Sequence, residues 1–226
     1  MKNIFIGNTG LQAIPAETEG QIIEIEDEKY YRISNYHLMP DFFITIVSDS
    51  DHWMYISSNG SLSAGRKNRD NALFPYYTVD KIHDYRDKTG SKTVCLVSKD
   101  NRTYLWEPFA CDFEKFYRIE RNLYKSIFGN KIIFEERNLD LEVSFSYGWH
   151  NSEKFGWIKK SSLKTTSEKG IKINILDGIR NILPYGIDFA FQNEYSNLLE
   201  AYRRNELLPQ SKLGLYVLSS IPTDTA

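Results

Sequence analysis

Leu139-Asp140-Leu141-Glu142-Val143-Ser144-Phe145-Ser146-Tyr147 alternates apolar and polar side chains over nine residues. Successive side chains on a strand point to opposite faces, so the stretch reads as a β-strand with one face in a core and the other towards water. On its N-terminal side Gly129-Asn130 stands between Ile127 and Ile132 as a turn signal, and residues 131–134 form a β-rich run. On its C-terminal side the Gly148 region reads as a further turn. Ile171, Ile173 and Ile175 alternate in the same way with Lys172 and Asn174, and residues 21–25, 30–33 and 42–47 are also β-rich. Most connections between these runs are too short to hold a helix, which excludes parallel βαβ winding. The pattern predicts a mainly β chain of short antiparallel strands, arranged as a sandwich.

One segment breaks the strand pattern. Ile187, Phe191, Tyr195, Leu198, Leu199 and Tyr202 recur at spacings of three and four, with Pro184 before them, Arg203 and Arg204 near the end and Pro209 after. That spacing predicts a single C-terminal amphipathic helix over 187–207, laid with its apolar stripe against the sandwich. Residues 213–221 then form another apolar run, followed by Pro222-Thr223-Asp224-Thr225-Ala226. The expectation is one β-sandwich domain over 1–226, forming the N-terminal part of a longer multidomain protein.

Composition narrows the function classes. The chain has 226 residues, 41% hydrophobic, 26% charged and 14% aromatic, a balance that supports a packed core without disulfides or metal. Twenty-eight Lys and Arg against thirty Asp and Glu leave a net charge of −2, no electrostatic footprint for nucleic acid or an anionic membrane. Cys95 and Cys111 are too few and too far apart for a metal knuckle. No stretch approaches the ~20 apolar residues of a membrane-spanning helix. Gly7, Asn8, Thr9 and Gly10 interrupt the apolar start, so the chain reads as cytoplasmic.

Most short motifs fail on inspection. Gly60-Ser61-Leu62-Ser63-Ala64-Gly65-Arg66-Lys67 has the glycine spacing of a phosphate loop, but Arg66 stands where Lys is needed and no hydroxyl follows. His37, His52, His83 and His150 show no metal-ligand spacing. Asp49 and Asp51 read as a turn, and there is no serine-hydrolase elbow. No cofactor or metal is expected. A carboxylate pair for glycoside chemistry would have to come from acids among aromatics, with Asp80, Asp84, Asp112 and Asp188 as candidates against surface or capping roles.

The segment from Trp53 to Asp84 differs in kind, mixing planar aromatics with amide and guanidinium donors. Aromatic faces cover the apolar C–H face of a pyranose, and Asn, Arg and Asp take its hydroxyls. The candidate carbohydrate-contacting residues are Trp53, Asn59, Arg66, Asn71, Tyr76, Tyr77 and Trp106. The competing assignment puts Trp53, Phe74, Tyr76 and Tyr77 in the core and pairs Arg66 with Asp70. Trp106, Trp149 and Trp157 carry the same ambiguity.

These residues also support a resemblance. The order Ser58-Asn59-Gly60, Gly65-Arg66 to Pro75-Tyr76, Tyr104-Leu105-Trp106-Glu107-Pro108-Phe109 and a strand pair over 134–147 resembles the N-terminal β-sandwich of cellobiose phosphorylase-like proteins, of glycoside hydrolase family 94 and its relatives. Phe155-Gly156-Trp157, Ser162-Leu163-Lys164 and Leu176 to Pro184 are similar to a bacterial branch of those proteins. The resemblance implies an antiparallel, galactose mutarotase-like β-super-sandwich. It implies a non-catalytic module that shapes a substrate entrance, packs on an (α/α)6 catalytic domain of the same polypeptide and takes part in dimerisation. No family catalytic residue falls on this chain. Ser61-Leu62-Ser63-Ala64 also departs from the glycine-and-aromatic run usual in phosphorylases after the Asn-Gly turn. The leading expectation is thus an accessory domain of a carbohydrate-active enzyme, with carbohydrate, the catalytic domain and a second copy as partners. An autonomous glycan-binding module, and a free-standing glycosidase or epimerase, are the alternatives.

Overall fold

The computed structural model describes residues 4–6, 9–12, 17–76, 79–168, 170–195, 199 and 201–218. In chain order the strands are β1 (Phe5–Ile6), β2 (Thr9–Gly10), β3 (Glu19–Ile25), β4 (Glu28–Ser34), β5 (Phe43–Ile46), β6 (His52–Ser57), β7 (Leu62–Arg66) and β8 (Asn68–Ala72). A single turn of helix, α1 (Val79–Ile82), precedes β9 (Gly90–Lys99), β10 (Arg102–Trp106), β11 (Ile119–Ser126), β12 (Lys131–Asn138), β13 (Val143–Ser152), β14 (Gly156–Thr165) and β15 (Lys172–Arg180). A short helix, α2 (Phe189–Glu194), then leads to β16 (Arg203–Leu208) and β17 (Leu213–Leu218).

The strands form a mainly β, antiparallel sandwich. One layer is a six-stranded sheet in the order β14-β13-β12-β11-β4-β3. Facing it are a four-stranded meander, β5-β6-β7-β8, and a three-stranded sheet, β10-β9-β15. The core lies between the layers, where alternate residues of facing strands meet. Phe134, Phe145, Tyr147 and Trp149 come from the first layer, Met54, Ile56, Leu62 and Ala64 from the meander, and Cys95 and Val97 from β9. Burial pushes the Cys95 thiol up to about 11, with Asp177 adding to the effect, so it behaves as an apolar filler.

The opening stretch is strand only in part. The alternation holds at Leu141, Val143, Phe145 and Tyr147, all nearly fully buried, and continues to Trp149, whereas Leu139 is exposed. Residues 139–142 are a turn between β12 and β13, held by the Leu139 N–H on the Arg118 carbonyl at 2.9 Å and the Leu141 N–H on Asn138 Oδ1 at 3.0 Å. Gly129-Asn130 is the turn joining β11 to β12. Gly148, by contrast, lies inside β13 opposite Ile133. A Cβ there would sit 3.0 Å from the Ile132 carbonyl oxygen, so close strand approach and not a turn explains the glycine.

The helix expected over 187–207 is shorter. Among the described residues helix covers α2 and positions 199, 201 and 202, while Arg203–Leu208 is a strand paired antiparallel with Leu213–Leu218. Asp188 starts α2 by accepting a hydrogen bond from the Phe191 N–H at 2.7 Å. Past residue 202 the cross-strand ladder to β17 satisfies the backbone, which the helical spacing could not reveal.

Candidate functional site

The turn joining β6 to β7 carries Asn59 and Gly60. Gly60 has φ +90°, a conformation costly for other residues. Asn59 spends both Nδ2 hydrogens inside the protein, on Asp41 Oδ2 at 2.8 Å and the His83 carbonyl at 3.0 Å, and its Oδ1 accepts from the Ser61 N–H and hydroxyl. Its hydrogen-bonding capacity is used up, so it fixes the turn. Gly65 lies within β7, not at a helix start, which removes the phosphate-loop geometry.

Trp106 is also structural. It is 1% exposed, and its Nε1 donates to Glu136 Oε1 at 2.8 Å. Glu136 Oε2 accepts from the Phe109 N–H at 2.7 Å and from Arg121 Nε at 2.7 Å. Arg121 also donates to the Ala110 carbonyl and pairs with Glu114. This closed buried network ties the six-stranded sheet to the segment after β10. Trp149 lies in the core as well, and Trp157 packs against it.

Trp53 and Tyr76 behave differently. On β6, Met54 and Ile56 point into the core while Trp53 and Tyr55 lie on the outer face. There the rings form a continuous row. Phe43 meets Tyr55 at 5.5 Å between centroids, Tyr55 meets Trp53 at 5.5 Å, Trp53 meets Tyr76 at 5.8 Å and Tyr76 meets Phe189 of α2 at 5.8 Å, the last two edge to face. Gly65 makes room for the row, since a Cβ there would lie 2.4 Å from Trp53 Cζ2.

The row ends in a cleft of about 350 Å³ between the sandwich, α2 and the β16–β17 hairpin. Four aromatics line it: Tyr76, Tyr85, Phe189 and Tyr216. The polar groups are the amides of Asn181, Gln192 and Asn193 and the guanidinium of Arg203, which donates to the Tyr216 hydroxyl at 3.0 Å. Gln192 Nε2 is buried and has no hydrogen-bond partner among the described residues. No carboxylate is among the described lining residues.

The other candidates lie elsewhere. Arg66, exposed at the end of β7, lines a separate open hollow with Asp49, Asp51, His52 and Glu153. Asn71 is exposed on β8 and donates to Asn68 Oδ1 at 2.8 Å. Tyr77 lies outside the described residues. Asp70 accepts the Phe189 N–H at 3.3 Å rather than an ion pair with Arg66. Of the carboxylate candidates, Asp84, Asp112 and Asp188 are exposed, and the Asp80 side chain is outside the described residues. No group of three or more His, Cys, Asp and Glu among the described residues is placed to hold a metal ion. No helix among them is long and apolar enough to cross a membrane.

Sequence reasoning missed Phe189, Gln192 and Arg203 because 187–207 read as one core-facing helix, and Tyr216 because 213–221 read only as an apolar run. The usable signal was the pair of β-compatible runs around Pro209-Gln210-Ser211-Lys212, which is hairpin spacing. Comparison with protein-family models gives no match, and comparison with curated proteins gives none either.

Proposed function

We propose that this chain is a non-catalytic carbohydrate-binding module of a carbohydrate-active protein, and that the cleft at the end of the aromatic row holds the sugar. One observation carries the proposal: edge-to-face aromatics and neutral amides converge on a cleft of sugar size, where the buried Nε2 of Gln192 has no hydrogen-bond partner among the described residues. Leaving a buried donor unpaired costs about 1–3 kcal/mol, and a sugar hydroxyl would satisfy it. The ring faces match the apolar face of a pyranose. The absence of a carboxylate among the described lining residues fits binding better than a glycosidase, which needs two. The resemblance to glycoside hydrolase family 94 sandwiches points the same way.

Trp53 packs on Tyr76, so the part of the emission lost in Trp53→Phe, beside that of Trp106, Trp149 and Trp157, is a direct reporter. Titration with a panel of oligosaccharides should change that emission saturably, and Tyr76→Ala and Phe189→Ala should each weaken binding about fivefold or more. Stacking contacts of about 1 kcal/mol or more set that scale. Saturable binding indifferent to both variants would move the site elsewhere.

A second reading, docking of the module on a catalytic domain or a second copy, is favoured by the hairpin. Leu208, Leu213, Leu215 and Val217 are exposed on one of its faces.

A further inference from the structure

Outside the cleft the aromatic row follows the direction of β6. On the β5–β6 ladder Phe43 stands opposite Ser57, two residues beyond Tyr55, and Trp53 is two residues before it. Phe43, Tyr55 and Trp53 therefore occupy three successive steps along one line of the outer sheet face. Their rings are half-buried and nearly parallel, inclined by 31° between Phe43 and Tyr55 and by 34° between Tyr55 and Trp53. Trp53 also lies across β7, over Gly65. Tyr76 and Phe189 continue the row but turn edge-on, at 79° and 87°, and line the cleft. At the opposite end Phe43 borders a second hollow of about 290 Å³ with Tyr31, Phe42 and Thr45. A row of five rings between two hollows presents more stacking surface than a single sugar can cover.

We infer that the ligand is a linear, extended glycan several sugars long, whose end sits in the cleft against Tyr76 and Phe189 while the following sugars stack in turn on Trp53, Tyr55 and Phe43. This rests on the carbohydrate reading above and adds the length and shape of the ligand to it. The centroid steps of 5.5 and 5.8 Å approximate the length of one pyranose in an extended chain, so neighbouring rings can take neighbouring sugars. A chain that curls would leave the row after its first contact. The cleft, with its amides and enclosing rings, is the anchor, and each ring on the sheet adds only a few-fold in affinity.

The test is calorimetric titration of the full chain with extended β-1,4-linked ladders of two to six sugars (cello-, xylo- and chito-oligosaccharides) beside a curling, α-1,4-linked malto-oligosaccharide ladder. At least one extended ladder should gain about twofold or more in affinity per added sugar up to about five and then level off, the scale of one stacking contact. The malto-oligosaccharides should show no such gain. Phe43→Ala and Tyr55→Ala should each lower hexasaccharide affinity about threefold or more. Both should leave disaccharide affinity unchanged, which separates a lost stacking surface from a lost fold. Equal affinity for disaccharide and hexasaccharide would overturn the inference and leave the carbohydrate reading standing, with the cleft alone as its site. A length dependence untouched by both variants, or an equally steep gain along the malto-oligosaccharides, would also overturn it. Failure of every ladder to bind would overturn it too, and failure of the wider oligosaccharide panel as well would remove the carbohydrate reading. Self-association of the chain, lost in both variants, would then make the row an interface between copies.

Discussion

Arg121 and Glu136 face each other across β11 and β12, 3% and 2% exposed and joined at 2.7 Å. Removing one partner of such a pair strands a buried charge, whereas replacing both with apolar groups of similar size is often nearly neutral. Glu136 also holds Trp106 and the Phe109 N–H, so Glu136→Leu alone should destabilise by about 3–5 kcal/mol in urea unfolding. The double variant Arg121→Met/Glu136→Leu should recover a large part of that loss, and additive losses would show that the pair does not act as a unit. His37 makes a second case on the same side of the core. Burial pushes its imidazole down to about 4, with the Arg121 charge adding to the effect against Glu114, and Asp41 and Arg86 border the same small cavity. A histidine with a depressed folded pKa leaves stability intact above its unfolded value of about 6.5. As pH falls from there towards 4, the unfolded chain takes up a proton that the folded chain refuses, and stability drops. His52 and His150 are lowered too, chiefly by burial, and contribute to the same slope. His37→Gln should therefore make the fall in Tm between pH 7 and pH 5 shallower than in the parent chain, and an unchanged slope would refute the assignment.

Among the elements, β7 shows most directly how backbone serves the candidate site. A Cβ on Gly65 would meet both Trp53 Cζ2 and, at 2.8 Å, the Asn71 carbonyl oxygen. A ring can tilt, but the backbone of β8 cannot yield as cheaply. Gly65→Ala should cost about 1–3 kcal/mol, as overpacking does, and shift Trp53 emission. Gly178→Ala on β15 is the control: nothing lies within 4 Å of its added Cβ, so its effect should stay within about 0.5 kcal/mol. Wild-type emission and stability in Gly65→Ala would mean that Trp53 does not need the glycine. Strand β13 was legible from alternation, because a face buried in a sandwich writes a period of two into the chain, whereas β6 to β8 around Gly65 fall in the segment that read only as aromatics among amides. Gly148 was misread as a turn, since close strand approach and a turn both select glycine and only the pairing distinguishes them. Helix α2 was legible through Ile187, Phe191 and Tyr195, but where it ends depends on a ladder to β17 that local spacing does not encode. The site divides along the same line. Trp53 and Tyr76 stood out as aromatics among amides, while Phe189 and Gln192 come from more than a hundred residues away in sequence. Trp106 had the same local signature as Trp53 and is core, because the buried Glu136 that claims its N–H lies on another sheet.

Across the whole molecule, the main core and the hairpin that completes the candidate site draw on different stretches of chain. Every member of the main core cluster, including the half-buried residues packed on it, falls between Ile33 and Ile179. The β16–β17 hairpin adds little to it, with Leu207, Leu208, Leu213, Leu215 and Val217 exposed, and a two-stranded hairpin has little stability of its own. Its contribution is to the cleft, through Arg203 and Tyr216. Such a division is favourable for a recognition surface, because a peripheral element can change shape or sequence without disturbing the packing that holds the sandwich together. It also makes a prediction that separates folding from binding. Deleting residues 203–226 should leave a single cooperative calorimetric transition with Tm lowered by no more than a few degrees, the scale of about 1 kcal/mol in a chain of this size. The same deletion should abolish the sugar-dependent change in Trp53 fluorescence, since one wall of the cleft is gone. Loss of cooperative melting would instead make the hairpin part of the folding unit. Retained binding would place the ligand on the aromatic row of the outer sheet face, where Phe43, Tyr55, Trp53 and Tyr76 persist without the hairpin.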